Sequence, residues 1–553
     1  MSKCTAVGID LGTSFSAVAV YDVVTKQARL LADDKGRVTT PSVVAFKNDG
    51  DGHTGRMVGY KALDQIGYNP ENTITEVKRI MGRKFEEYCV QEDISRWPFE
   101  VVDKNGEPRI KVINGNETRL LRPEQISAMI LMHLKNIACE HLDLKPFDNL
   151  DAVLTVPVNF GDSQRLATRE ACQIAGINVL KFITEPASAA IAYGIDESTL
   201  NDGSKILVFD MGGGTTDVSV LTMGADHQYE VMACVGDSRL GGEDLDTVLA
   251  MCEDILQRAV GLVRSCLEQA QITRSDLTQV VLAGGSSKIP RLQAIIAETL
   301  PNIPIHTSHV QDEIVASGAA YQAAKDKGFL KLNLMLTERI PWSLGINDKD
   351  GFTVKVMERN AKIPGEKTET FRTAFDHQTA MLFKIYEGEN RRSEKNRLLG
   401  SMTLNNIRVA ARGMVAADTT FKVDANGILK VTAVEQNTTN SISVNIARYK
   451  GEMSAEKMQI IHQKSKNENA LSLMRGLVKN LQQLAIKVQQ SDELTEAQKT
   501  EVSAEADRVK LWFQGKAGIT DVEFTDVLED VRKQLAFCCL ISNTGVVTFD
   551  VGS

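Results

Sequence analysis

Lys205–Val220 reads KILVFDMGGGTTDVSV, and the rest of the chain is organised around it. Ile206 to Phe209 is a short apolar run rich in β-formers, the pattern of a buried strand. It ends in Asp210, followed by Gly212, Gly213, Gly214, Thr215 and Thr216, then Asp217 and a second apolar run. Strand, glycine turn, strand predicts a β-hairpin with an acid on the way in. Glycines let backbone N–H groups approach an oxyanion because no Cβ intervenes. Hydroxyls add donors, and a carboxylate at the same end can hold a hydrated Mg²⁺, the parts that phosphate handling needs. A tight turn between two core strands would look the same.

Val7–Val20, VGIDLGTSFSAVAV, repeats the layout: apolar strand, Asp10, Gly12, Thr13, Ser14, apolar strand. Two such hairpins face to face would grip a polyphosphate from both sides. A third glycine element, VVLAGGSSKIP at Val280–Pro290, again follows a strand and precedes an amphipathic stretch. These three elements resemble the phosphate and adenosine motifs of the actin-like ATPase superfamily, and in their wording those of the heat-shock protein 70 chaperones.

The composition, 43% hydrophobic and 24% charged, is that of an ordinary globular chain, and 553 residues suggest several domains. A net charge of −9 argues against a general binder of nucleic acid or anionic membranes. No apolar run reaches membrane-spanning length. MSKCTAVGID enters the first strand at once, so neither a signal nor a transit peptide is expected. Nine scattered cysteines without a C-x-x-C read as reduced thiols, and with them a cytoplasmic location, open to the nucleus, is expected.

The resemblance implies a multidomain chain. Residues 1–329 would be an α/β actin-like (ribonuclease H-like) two-lobe ATPase domain, and 330–340 an interdomain linker. A β-sandwich peptide-binding domain would follow over 341–450, then a helical lid over 451–543 and a short tail over 544–553. ATP or ADP and Mg²⁺ are the implied cofactors, with K⁺ as a further cation. Asp10 and Asp210 would hold the metal through water. Gly12, Thr13, Ser14 and Gly212–Gly214 would hold phosphate. Lys78 matches the lysine that reaches the γ-phosphate, although a Lys78-Arg79 pair is also what a solvated basic face looks like. Glu185 and Thr215 would assist hydrolysis; from the residues alone Glu185 is a plain acid at a helix start. Gly241, Gly242, Glu243, Gly284, Gly285, Ser286 and Lys288 would complete the nucleotide site. Lys288 stands where the family usually has arginine, which stacks better on a base. Pro157 and Arg165 match residues that report nucleotide state to the other domain.

After SRLGGEDLD the chain departs from the family. Gly284 follows Gly241 by only 43 positions, several dozen fewer than in the family. The missing part corresponds to the cap of the second lobe, and its loss argues against exchange-factor binding and weakens the base clamp. The register resumes at MCEDILQ, as cleanly as an exon skip, a gene-model error or a true deletion would leave it. In the linker LKLNLMLTERI, Leu334, Met335 and Leu336 match the family's leucine run, and Thr337 replaces an apolar residue. Its burial is expected to weaken coupling between the domains; a short edge strand is the plainer reading.

From Pro341 the pattern is all-β, with Ala425-Asn426-Gly427 marking a hairpin turn. By resemblance Ile346, Phe371, Ala374, Met381, Phe383 and Ile385 line a peptide pocket; core packing would use the same residues. Lys349 replaces the bulky residue on one side of the family's arch over the peptide. Beyond Met453 three helical stripes, Leu473 to Val488, Val502 to Phe513 and Phe524 to Leu535, predict a small bundle. The expected partners are unfolded or extended polypeptides and a J-domain co-chaperone, with no nucleic acid or membrane. The expected function is an ATP-dependent chaperone. A nucleotide-insensitive peptide-binding or scaffold protein with a relic ATPase fold is the alternative, and a small-molecule kinase a distant third.

Overall fold

The computed structural model describes residues 4–48, 54–114, 117–145, 148–196, 201–245, 252–307, 311–445, 455–489, 495–514 and 519–534. The joint at 246–251, the stretch between sandwich and bundle, the lid's last stripe residue Leu535 and the C-terminal tail lie outside them.

The two acidic hairpins each seed a sheet. In the first, Val7–Asp10 pairs antiparallel with Phe15–Asp22, which pairs with Gln27–Leu30. On its other side it pairs parallel with Leu150–Val156, which pairs parallel with Ile177–Thr184. The second sheet repeats this order. Lys205–Met211 pairs antiparallel with Thr216–Gly224, then Gln228–Asp237, and on its other side parallel with Gln279–Ala283, then Ile305–His306. The central strands are buried on both faces and read as continuous apolar runs, which is why they were legible, while the partly exposed edge strands Gln27–Leu30 and Ile305–His306 carry no such run.

Helices Glu185–Asp196 and Ile314–Asp326 pack on each other between the two sheets. Where the helices meet, a Cβ on Gly318 would fall 1.8 Å from the Ser188 carbonyl oxygen, while Ala316 and Ala320, fully buried, turn to the first sheet and cluster with Ala17 and Ala19. Gly8 lies so close to the second helix that a Cβ would fall 2.1 Å from the Ala320 nitrogen. Helix Cys252–Ala270, just after the joint, closes a separate core with Phe209, Val220, Val260, Val263 and Leu292. The second sheet therefore has a covered face without any cap.

The linker is not a free tether. Met335–Arg339 is a strand of the second sheet, parallel to Gln228–Asp237, with Thr337 opposite Glu230. It also pairs antiparallel with Lys362–Ile363, which leads into the β-sandwich. Leu334 is fully buried, Leu336 half-buried and Met335 exposed. Thr337 is only half-buried. The expected cost of burying an unpaired hydroxyl there does not arise, because the side chain keeps contact with solvent.

The sandwich consists of two four-stranded antiparallel sheets, one of them ordered Gly365–Arg372, Ala416–Val423, Leu429–Glu435, Ser441–Asn445. Helices Ala455–Gln489, Glu496–Gln514 and Asp521–Gln534 form the bundle, with Leu477, Leu481, Val502, Val509, Phe524 and Val531 inside it. Thr495 and Gln498 form the expected capping box. The long helix lies on the first α/β unit, where His462 Nδ1 is 2.9 Å from the Ile174 carbonyl and Arg119 pairs with Glu468 at 3.1 Å.

Candidate nucleotide site

The hairpin tips meet. A Cβ on Gly213 would fall 1.8 Å from Ser14 Oγ, and one on Gly214 would fall 2.7 Å from Thr13 Cγ2. Any larger residue would push the tips apart. Between the two units lies a cavity of about 470 Å³ lined by Asp10, Gly12, Thr13, Ser14, Lys78, Glu185, Asp210, Gly212, Gly213 and Thr215. Gly242, Glu243, Gly284, Gly285, Ser286 and Lys288 line its other side. Gly214 and Gly241 do not line it; Gly241 is packed on the Gly213–Gly214 backbone, where a Cβ would fall 2.4 Å from the Gly213 carbonyl oxygen. They support the loop and leave the ligand face to their neighbours.

Hydrogen bonds tie the loops to one another. Ser14 donates to Glu243 Oε1 at 2.7 Å, which joins the first unit to the second. Ser286 donates to the Gly212 carbonyl at 2.8 Å, and the Glu243 N–H donates to the Gly213 carbonyl at 2.8 Å. Lys288 pairs with Asp312 and is exposed at the rim.

Lys78 lies in the short 3₁₀ turn Val77–Ile80 and is 6% exposed, so it is no solvated basic face. Its ammonium donates to Glu185 Oε1 at 2.7 Å. Glu185 opens the helix Glu185–Asp196 directly after the strand ending at Thr184. Asp10 accepts from Thr155 Oγ1 at 2.9 Å. Asp217, opposite Asp210 in the hairpin ladder, accepts from the Val158 N–H at 3.1 Å.

Burial and the negative charge of Glu185 push Asp10 up to about 7, Lys78 opposing. The same two causes raise Asp210 and Asp217 well above the usual carboxylate range. A cleft with this much buried negative charge beside one ammonium suits a cation. Among the described residues no three carboxylate, imidazole or thiol side chains converge to ligate one ion directly. The donor set therefore fits a hydrated ion held through its waters better than a dehydrated one.

Sequence reasoning missed Asp217, Asp312, Gln311 and Phe15. Asp217 stands in the quoted hairpin, and its place opposite Asp210 follows from a tight turn. Gln311 and Asp312 carry no local signal; the fold alone brings them to the cavity. A second cavity, about 370 Å³, lies between the first unit and the sandwich, lined by Arg83, Arg122, Glu170 and Leu398 among others. It contains none of the expected site residues.

Arg165 is 2% exposed and reaches the sandwich: it donates to the Phe160 carbonyl at 3.1 Å and to the Asn426 carbonyl at 3.3 Å. Pro157 sits one residue beyond the strand Leu150–Val156, and its carbonyl accepts from the Phe160 N–H at 3.1 Å, in the turn that carries this carbonyl. Ile346, Met381, Phe383 and Ile385 are buried in the sandwich core, with Phe371 and Ala374 half-buried at its edge. Of the expected peptide pocket, four residues are thus packed as core. Lys349 is exposed and pairs with Asp350 at 2.8 Å.

With this geometry in hand, the chain was compared with known proteins. A family model described as "Hsp70 protein" matches residues 6–251 and 248–535. A "Heat shock 70 kDa protein" of Neurospora crassa is 35% identical over 611 aligned positions, covering 96% of this chain and 92% of the relative. One of the same description from Emericella nidulans is 35% identical, covering 92% and 89%. "Heat shock cognate 70 kDa protein 3" of Dictyostelium discoideum is 33% identical, covering 96% and 95%. The first alignment is longer than the 553-residue chain, so that relative carries segments this chain lacks. The family match breaks into two at 248–251, at the joint read from the sequence.

Proposed function

The chain belongs to the heat-shock protein 70 family, and from that premise we propose that it is an ATP-dependent chaperone binding and releasing extended apolar segments of unfolded proteins. Family membership brings a general chaperone function and the ATPase class. Dependence on ATP in this chain is the finer reading, and one observation carries it. The two hairpin tips, Lys78 and Glu185 converge on one cavity large enough for a nucleotide's phosphates.

In this reading Thr13, Ser14 and the Gly212–Gly213 backbone hold the phosphates. Asp10 and Asp210 would hold hydrated Mg²⁺, which neutralises polyphosphate charge when bound. Lys78, aimed by Glu185, stabilises charge developing on the transferred group. Glu185 and Thr215 border the space where an attacking water would sit. A nucleotide-insensitive scaffold is not favoured, since the phosphate loops and their buried charges are intact.

The test is thermal melting with Mg-ADP. A ligand at about a hundred times its Kd adds about 2.7 kcal/mol of apparent stability. With the base clamp reduced, a clear upward shift is expected at millimolar Mg-ADP and a small one at micromolar. No shift at any concentration, with the chain folded, would sink the reading.

Peptide binding is proposed at the edge where Phe371 and Ala374 sit. The loops after Arg372 and before Val415 bond to each other there, Thr373 N–H to the Val415 carbonyl at 3.0 Å, and expose Phe375 and Met414. Such a patch suits an extended apolar segment. Phe375→Asp is expected to weaken binding of a labelled leucine-rich peptide without moving the sandwich's melting. Met381→Glu would instead destabilise it, because Met381 is core. Equal anisotropy titrations for Phe375→Asp and parent would place the peptide elsewhere.

A further inference from the structure

We propose that Arg239 is the bolt of a cross-cleft ionic latch that holds the nucleotide cleft closed in place of the missing cap and sets the rate of nucleotide release. The inference rests on the reading of the cleft as a Mg-nucleotide site.

Residues 237–245 leave the second sheet at Asp237 and run along the cleft rim to the short helix Gly242–Leu245. Leu240 anchors this segment in the second unit's core. The side chains of Arg239, Glu243 and Asp244 point the other way, onto the first unit. Arg239 pairs with Glu92 and Asp93 and donates to the Cys89 carbonyl, all on or beside helix Tyr88–Ile94. Asp244 accepts from Arg79 at 3.0 Å and from Arg96 at 3.3 Å. Asp93 is 1% exposed and also accepts from Arg96 at 2.8 Å, so the knot is drawn around a buried carboxylate.

The position of Arg239 is itself fixed. Its own N–H donates to Asp237 Oδ1 at 2.9 Å, while Asp237 Oδ2 accepts from Arg258 at 2.8 Å. Arg258 lies on helix Cys252–Ala270, the first element after the joint. One chain of contacts thus runs from that helix, through Asp237 and Arg239, to the first unit. Next to it, Ser14 and Glu243 close the cleft at the phosphate loops. To release a nucleotide the units must separate here, and every pair that crosses from one unit to the other must break. A partly buried arginine held by several charge-assisted hydrogen bonds contributes more than an exposed pair, whose attraction solvent and salt screen.

The experiment is the release rate of a fluorescent ADP analogue with Mg²⁺, chased with unlabelled ADP. Arg239→Glu is expected to speed release about five- to tenfold. Glu92→Arg combined with Arg239→Glu restores the opposite charges and should bring the rate back toward the parent's. Raising salt should speed release in the parent and change Arg239→Glu little. A rate in Arg239→Glu equal to the parent's overturns the latch, whatever else changes. If the parent binds no ADP, the proposed ATPase reading falls, and the latch is then read without nucleotide by hydrogen exchange over residues 88–97. Faster exchange there in Arg239→Glu, reversed in the charge swap, supports it; unchanged exchange overturns it.

Discussion

Lys78→Ala is expected to lower the single-turnover hydrolysis rate about 10²–10³-fold, the effect of removing one preorganised charge from a phosphoryl-transfer site. Nucleotide affinity should change little, because that charge is worth most when negative charge spreads over the transferred group. The ammonium is buried and already paired to Glu185 at 2.7 Å. Removing it also has a structural consequence. It leaves Glu185 uncompensated beside Asp10 and Asp210, whose carboxyls that charge already raises. Breaking a buried pair by removing one partner costs about 3–5 kcal/mol, so the nucleotide-free variant should melt earlier. The two roles separate in Lys78→Ala with Glu185→Gln. Neutralising the orphaned carboxylate should restore melting and leave hydrolysis low. If the double variant regains both, or the single variant hydrolyses at the parent's rate, Lys78 is only a structural counter-charge.

The same pair shows what a sequence discloses. Asp10, Asp210, the glycines and the hydroxyls sit in local patterns: a strand fixes the acid, the turn fixes the glycines, and the second copy fixes the pairing. The place of Lys78 and Glu185 in the cleft was legible only by resemblance, since a lysine beside an arginine has no local mark that it is buried. Asp217 was in view but unassigned, because its meaning depends on its partner across the hairpin. The Arg79–Asp244 and Arg239–Asp93 pairs were not legible at all. They join segments well over a hundred residues apart, and no periodicity encodes which surface charges will meet. The sandwich residues are a different case. Met381, Phe383 and Ile385 alternate along one strand, and alternation names an inward face without saying whether core or ligand fills it.

Thr337 is the clearest change of view. As a sequence it suggested that burying its hydroxyl would weaken coupling between the domains, with a short edge strand as the plainer reading. In the fold the linker is a hydrogen-bonded strand, and its acid, not its threonine, is the buried group. Glu338 accepts from the Thr184 N–H at 2.7 Å, one residue before Glu185 in the cleft. Any shift of Glu185 would thereby be felt one peptide away, at the linker.

Arg165→Ala is accordingly expected to uncouple the sandwich from the cleft while Thr337→Leu does little. One hairpin turn carries a large part of the sandwich's docking, beside Arg397, which donates to the Gly82 carbonyl at 2.8 Å, and Asn360, which donates to Gln269 at 3.1 Å. Asn426 gives its carbonyl to Arg165 at 3.3 Å and its side-chain oxygen to the Phe182 N–H at 2.9 Å. Leu429 N–H donates to Asp162 at 2.8 Å. Gly427 has φ +75°, and a Cβ there would lie 3.1 Å from Arg165 Nε, so turn and guanidinium fit face to face. Removing the guanidinium leaves the Phe160 and Asn426 carbonyls without this donor. At an interface, truncating a buried charged donor costs about 2–5 kcal/mol. Because one of its two bonds lies within the first unit, about 2 kcal/mol falls on docking, roughly thirty-fold in the docked population. That is the size of an ordinary coupling free energy, so the coupling should be largely lost. Stopped-flow peptide release would then be accelerated by ATP in the parent and in Thr337→Leu, and hardly at all in Arg165→Ala. Coupling that survives Arg165→Ala but fails in Thr337→Leu would return the linker threonine to the centre and show that this turn is a resting contact only.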